Sequence, residues 1–141
     1  MPDVQKYLKR QWANWKVSQL LRFRLPGPLV SFTFDDVPSS AFEVGAPLLE
    51  QLGWRGTFYL SLSMLQEACN TGGFTRRQAS RAQEVGHELG CHTYGHLDLS
   101  RSGLQQLGAD LARNRAGFEA LWPGYPLHSF SYPFGAQTAG S

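Results

Sequence analysis

Four short β-prone runs punctuate this chain, and three of them stop on a cluster of polar or turn-forming residues. Leu29-Val30-Ser31-Phe32-Thr33-Phe34 ends on Asp35-Asp36, and Gly86-His87-Glu88-Leu89-Gly90-Cys91 ends on His92-Thr93-Tyr94-Gly95-His96. Leu127–Tyr132 ends on Pro133-Phe134-Gly135, and the remaining run, Gly56-Thr57-Phe58-Tyr59-Leu60, lies between the first two. Short apolar runs bounded by turn signals read as strands covered on both faces, the condition of a parallel sheet. In such sheets binding and catalysis sit where strands end and loops begin.

The intervening segments have helical spacing. A helix is expected through Phe42–Leu52, closed by Gly53, while residues 63–69 are weakly helical. Gly72-Gly73 makes a turn, and Thr75 starts a helix to about Val85. The longest pattern covers 101–121, with Leu104, Leu107, Leu111, Phe118 and Leu121 as its apolar positions, until Pro123-Gly124 breaks it. Asp98 or Ser100 is its expected cap. Upstream, Val4, Leu8, Trp12, Trp15 and Leu20 recur at broadly helical intervals through 3–22, and Leu25-Pro26-Gly27-Pro28 stops that helix. The pattern is α/β: four βα units with right-handed crossovers, preceded by an N-terminal amphipathic helix. Residues 1–26 form the helix and linker, 27–135 the domain, and 136–141 a flexible tail of small residues.

With 141 residues the chain holds one core. A complete TIM-type barrel needs roughly 200 residues or more, so any barrel motif must sit on something shorter. The net charge is only +2, and no nucleic-acid partner is expected. The charge is nevertheless uneven, because Lys6, Lys9, Arg10, Lys16, Arg22 and Arg24 face Asp3 alone in the first 24 residues. Such a helix either turns a wet face to solvent, the simpler reading, or touches an anionic membrane surface. Cys69 and Cys91 make neither a disulfide framework nor a CxxC pair. There is no apolar run of about 18 residues, and charges interrupt residues 3–22 too often for a secretory signal. A cytoplasmic protein is the expectation.

Asp35 and Asp36 are adjacent carboxylates leaving an apolar strand, so their side chains diverge. One can bind a metal while its neighbour acts as a base; equally, Asp-Asp-Val-Pro-Ser makes a good turn or helix cap. His92 and His96, four apart, can share a metal, although Gly95 weakens a helix there and a wrapping loop fits better. Unrelated surface or core histidines are the alternative. One Asp with two His makes a facial ligand set that leaves positions open for water and substrate. Phe130–Gly135 is by itself an aromatic turn; next to a metal it could line a groove and donate to an oxyanion.

Together these segments resemble the polysaccharide deacetylase family, the NodB-homology group of carbohydrate esterases (family 4). The matching stretches are Ser31–Asp36, Gly86–His96 and Phe130–Gly135, with Gly56-Thr57-Phe58-Tyr59 similar to the family's second strand. The resemblance spans residues 29–135 and implies about half of the distorted (β/α)7 barrel of that family. It implies an enzyme, a hydrolase that deacetylates N- or O-acetylated carbohydrate through a metal-activated water. Asp36, His92 and His96 would hold a divalent metal, usually zinc, with Co2+, Mn2+ or Ni2+ as substitutes. Asp35 would be the general base and Thr93 would steady the histidines from behind. The backbone N–H of Phe134 would bind the oxyanion, and Tyr132 and Pro133 would line the groove.

The chain departs from the family pattern in three places. Ser131 stands where the family usually has an Arg that orients the catalytic Asp, and Phe134 stands where a Tyr is common. The later motifs, which supply an acetyl pocket and a proton-donating His, are not among these residues. Two further readings therefore stand beside the first: an unselective metallohydrolase acting on activated esters or phosphoesters, and a non-catalytic, metal-stabilised carbohydrate-binding fragment. An open half-barrel exposes parallel edges, so self-association is expected, unless the N-terminal helix covers the open side. In a dimer the partner's His128 could supply the missing acid. Outside that role, His87 and His128 read as packing or surface residues, Cys91 as a small core residue, and the tryptophans as core, with Trp54 the one expected to be exposed.

Overall fold

The computed structural model of the protein describes residues 8, 12, 24, 27–68 and 72–135. Three parallel strands carry the architecture: β1 (Thr33–Phe34), β2 (Thr57–Leu60) and, after the short pair β3 (Leu65–Gln66) and β4 (Phe74–Thr75), β5 (Glu88–Cys91). The order across the main sheet is β1-β2-β5, with Phe34 level with Phe58 and Leu60 level with Cys91. Helix α1 (Ala46–Gln51) follows directly from a π-helical turn over Ala41–Gly45, α2 spans Arg76–Glu84, and α3 spans Leu104–Leu121. The expected α/β architecture is therefore present.

The core forms because the inward strand positions are aromatic or branched. The Phe34 ring stacks on Phe58 with centroids 4.6 Å apart, and Phe58 stacks on Phe42 at 4.8 Å. Leu60, Phe74, Leu89, Phe118 and Trp122 complete this cluster. Gly45 is required beneath it, since a Cβ there would lie 2.8 Å from the Phe34 ring. Helix α2 starts where its sequence signal says: Thr75 Oγ1 accepts from Gln78 N–H while Gln78 Oε1 accepts from Thr75 N–H, a reciprocal cap.

Several local expectations fail for physical reasons. The expected first strand is not buried throughout: pairing begins only at Thr33, and Leu29 and Val30 before it are each 71% exposed, while among the described residues β1 pairs with β2 alone. Residues 62–64 make one 3-10 turn and then enter β3, so no helix forms over the described part of 63–69. The fourth strand shrinks to a single parallel bridge, Cys91 with Phe130, with prolines at 126 and 133 bounding the segment. Gly103, not Asp98 or Ser100, caps α3; the Asp98 carboxylate instead accepts from Ser100 N–H and Oγ in a local turn. Trp54 is exposed as expected and stacks on Phe32, whereas Trp122 is buried.

Leu8 and Trp12 are helical and exposed, and the rest of the expected 3–22 helix, with its proposed membrane contact, lies outside the described residues. So do Cys69, Trp15 and the tail 136–141. No described helix is long and apolar enough to cross a membrane.

Candidate active site

All three polar clusters emerge at one end of the sheet, because parallel strands put their carboxyl ends together. Asp36 lies two residues beyond the Phe34–Phe58 pair, and His92 one residue beyond Leu60–Cys91. The third segment reaches the same end by running alongside β5: Cys91 N–H donates to Ser129 O and Ser131 N–H donates to Cys91 O, both at 2.9 Å. Gly90 makes that approach feasible, since a Cβ there would sit 2.6 Å from Ser129 Oγ and 2.5 Å from the Tyr59 ring.

There the ligand atoms of Asp36, His92 and His96 converge, all within 4.8 Å of one another. Asp36 Oδ1 is 3.2 Å from His92 Nε2 and 2.5 Å from His96 Nε2. The latter approach is not a hydrogen bond, and His96 Nε2 is buried with no hydrogen-bonding partner. His92 is 1% exposed, and its Nδ1 lies 3.0 Å from the Ser131 carbonyl. A carbonyl only accepts, so Nδ1 donates there, and Nε2 is the nitrogen turned toward Asp36 Oδ1, at hydrogen-bonding distance.

Among the described residues, four that bear side chains have a left-handed backbone: Asp36 (φ 50), Thr93 (φ 61), His96 (φ 53) and Phe134 (φ 60). Each belongs to this cluster. Such conformations cost on the order of 1–3 kcal/mol each and persist only where surroundings enforce them. Thr93, fully buried, does part of this work by accepting the Leu97 N–H on Oγ1 at 2.8 Å. Beside this trio, Asp35 is exposed and its Oδ2 accepts from Ser131 Oγ. The Phe134 ring stands edge-on to His96 with centroids 4.4 Å apart. Tyr132 is partly exposed against Phe130, and Pro133 is buried beneath the turn.

Residues 24–141 match the family model for polysaccharide deacetylase. The chain belongs to the polysaccharide deacetylase family. A bifunctional xylanase/deacetylase of Pseudobutyrivibrio xylanivorans is 31% identical over 97 residues, which are 64% of this chain and 15% of that protein. The deacetylase PplD of Streptococcus pyogenes, solved with acetate, is similar in fold with a TM-score of 0.70 at 21% identity, over 82% of this chain and 50% of PplD. IcaB of Ammonifex degensii gives a TM-score of 0.68 at 21% identity, covering 95% of this chain and 67% of its own. The deacetylase-family chain described here thus spans only a minor part of the bifunctional relative and about half of PplD.

Within this deacetylase fold, His87 and Cys91 have structural surroundings. His87 is buried, accepts the Gly56 N–H on Nδ1 and has Nε2 3.4 Å from Glu50 Oε1. Burial pushes its imidazole below the ordinary value, against the pull of Glu50. Arg81 forks onto both Glu50 oxygens at 2.8 Å and, with His87, holds that carboxyl down to about 2. Burial raises the Cys91 thiol, whose sulfur accepts from Asn114 Nδ2. His128 is exposed and lines a surface cavity with Arg115, Glu119 and Tyr125, none of them part of the Asp-His cluster. Asp110 and Arg113 on α3, which hold the histidine loop from outside, escaped sequence reasoning. An Asp and an Arg on a long helix look like any solvated pair.

Proposed function

We propose that this chain is a metal-dependent hydrolase that removes acetyl groups from an N- or O-acetylated carbohydrate. The observation that carries the reading is the convergence of Asp36, His92 and His96 with Asp35 alongside. Two imidazole nitrogens and a carboxylate oxygen are donors that zinc takes, and three protein ligands leave coordination open. His92 Nε2 and His96 Nε2, the latter with no hydrogen-bonding partner, both face Asp36 Oδ1. The buried His96 Nε2 lacks a hydrogen-bonding partner, and all three donor atoms lie close enough to surround one cation, so the residues fit the group. Co2+, Mn2+ or Ni2+ would fit the same donors.

A divalent cation held there supplies Lewis acidity, polarising the acetyl carbonyl and lowering the pKa of water to about 7. The remaining chemistry belongs to the chain. Asp35 takes the proton of the attacking water and returns it to the sugar nitrogen or oxygen as the acyl bond breaks and acetate leaves, and Ser131 aims that carboxylate by donating to Oδ2. The Phe134 N–H donates to the developing oxyanion, and Tyr132 and Pro133 wall the groove that receives the sugar.

Self-association is part of the same reading. It is supported by the edge of β1 that has no pairing strand among the described residues, by the exposed Leu29 and Val30 just before it, and by Val44, Leu48 and Leu52, which expose an apolar stripe along α1 and its flanks.

The test is acetate release by zinc-loaded protein from chitin oligomers, acetylxylan and peptidoglycan fragments. Turnover that a chelator abolishes and zinc restores is expected. Zinc binding with no acetate released from any of the three overturns the deacetylase reading.

A further inference from the structure

The peptide between the two histidines is held from outside the site by helix α3. Asp110 Oδ1 accepts the Tyr94 N–H at 2.6 Å and Oδ2 accepts the Gly95 N–H at 3.0 Å. Consecutive backbone N–H groups form a concave donor pair that suits an anion, and a side-chain carboxylate fills it here. One turn further along α3, the Arg113 guanidinium lies 3.8 Å over the Tyr94 ring. From the opposite side, Ser63 N–H donates to the Tyr94 carbonyl at 2.9 Å.

These contacts surround two strained residues. Thr93 and His96 flank the Tyr94-Gly95 peptide, and both have a left-handed backbone. Released from Asp110, the segment could relax toward ordinary dihedrals, which would swing His96 away from Asp36. Both of these Asp110 hydrogen bonds go to backbone N–H groups between the two histidines, so they act on His92 and His96 through the main chain.

We propose that Asp110, backed by Arg113, is a positioning residue that sets metal affinity by locking the His92–His96 segment in its ligating conformation. The inference rests on the metal site proposed above and concerns a residue outside it. Partners that orient ligands typically change metal affinity or activity by about 10- to 100-fold when removed.

The test is zinc affinity, measured by competition with a chromophoric chelator, for wild type, Asp110→Asn and, as the control, His92→Ala. The visible spectrum of the cobalt-loaded protein and the melting temperature without metal are recorded for each. Asp110→Asn turns an amide NH2 toward a backbone donor. Its zinc affinity should fall about 10- to 100-fold and its cobalt bands should shift, with the metal-free melting temperature close to wild type. If wild type binds no zinc, the metal reading itself fails. If wild type binds and Asp110→Asn binds equally well with an unchanged cobalt spectrum, the positioning role is overturned. Should Asp110→Asn not fold, Gly95→Ala decides. Its Cβ would press to 3.2 Å from Asp110 Oδ2, so weaker zinc binding supports the lock and unchanged binding removes it.

Discussion

Ser131 donates its hydroxyl to Asp35 Oδ2 at 2.9 Å, although 96 positions separate the two in sequence. The same residue accepts the His92 Nδ1 proton on its carbonyl and donates its N–H to Cys91 O. One short side chain and its own peptide thus tie the proposed base to a proposed ligand. Where the family usually places an Arg, a neutral hydroxyl makes the contact to the carboxylate.

Ser131→Ala keeps both backbone bonds and removes only the tie to Asp35. A hydrogen bond to a charged group is worth about 1.5–3 kcal/mol, so kcat for acetate release should drop about 10- to 100-fold. KM should change little, and Ser131→Thr should recover much of the loss. Steady-state kinetics on one acetylated oligomer checks this; equal effects of Ala and Thr would dismiss the hydroxyl.

Gly90 and Gly108 should respond oppositely to alanine. At Gly90 the added methyl meets Tyr59 and Ser129 below 3 Å, and both are packed. Overpacking of this kind costs about 1–3 kcal/mol, and pushing Ser129–Ser131 outward should weaken zinc binding as well. Gly108 sits in α3 with nothing within 4 Å, so alanine there should stabilise by about 0.5–1 kcal/mol. Thermal melts of the two variants decide the matter.

Acid should unfold the protein in two stages. Burial holds folded His87 below its ordinary value, so the unfolded chain binds a proton first as pH falls, and stability declines from about pH 6.5 downward. Glu50 is lowered to about 2, mainly through its hydrogen bonds with Arg81. Its contribution is complete above about pH 4.5 and is lost as pH drops toward 2. Melting temperature should therefore be level between about pH 7 and 8, fall through pH 6, and fall again below 4.5. Glu50→Gln should flatten the lower limb; an unaltered limb would contradict the assignment.

Light scattering at high micromolar concentration tests self-association. A mass of two chains or more is expected. Leu48→Lys or Leu52→Lys should lower it if the exposed stripe on α1 takes part, since both side chains are solvent-facing. A mass of one 15.7 kDa chain overturns the expectation.

The candidate site residues were readable because each is a chemistry-bearing residue type in a telling place. Asp35, Asp36, His92 and His96 follow directly after strands, and a parallel sheet must gather such ends. The Thr75 cap was readable because both halves of its bond pattern lie three residues apart. Burial along Leu29–Phe34 was not, since it depends on whether another strand lies alongside, which no local pattern encodes. Asp98 carries the residue type of a helix cap, but a competing turn with Ser100 uses it. Asp110 was invisible for a different reason: its partners are backbone N–H groups 15 and 16 positions away, and a backbone donor has no letter in the sequence.

The left-handed residues of the site carry a consequence for directed evolution. Glycine or asparagine would sit more comfortably at positions 36, 93, 96 and 134 than the Asp, Thr, His and Phe found there. Selection for heat resistance alone should accumulate substitutions at these four positions early, yielding hardy variants emptied of chemistry. Libraries meant to toughen this protein should keep all four fixed and diversify the helix surfaces instead.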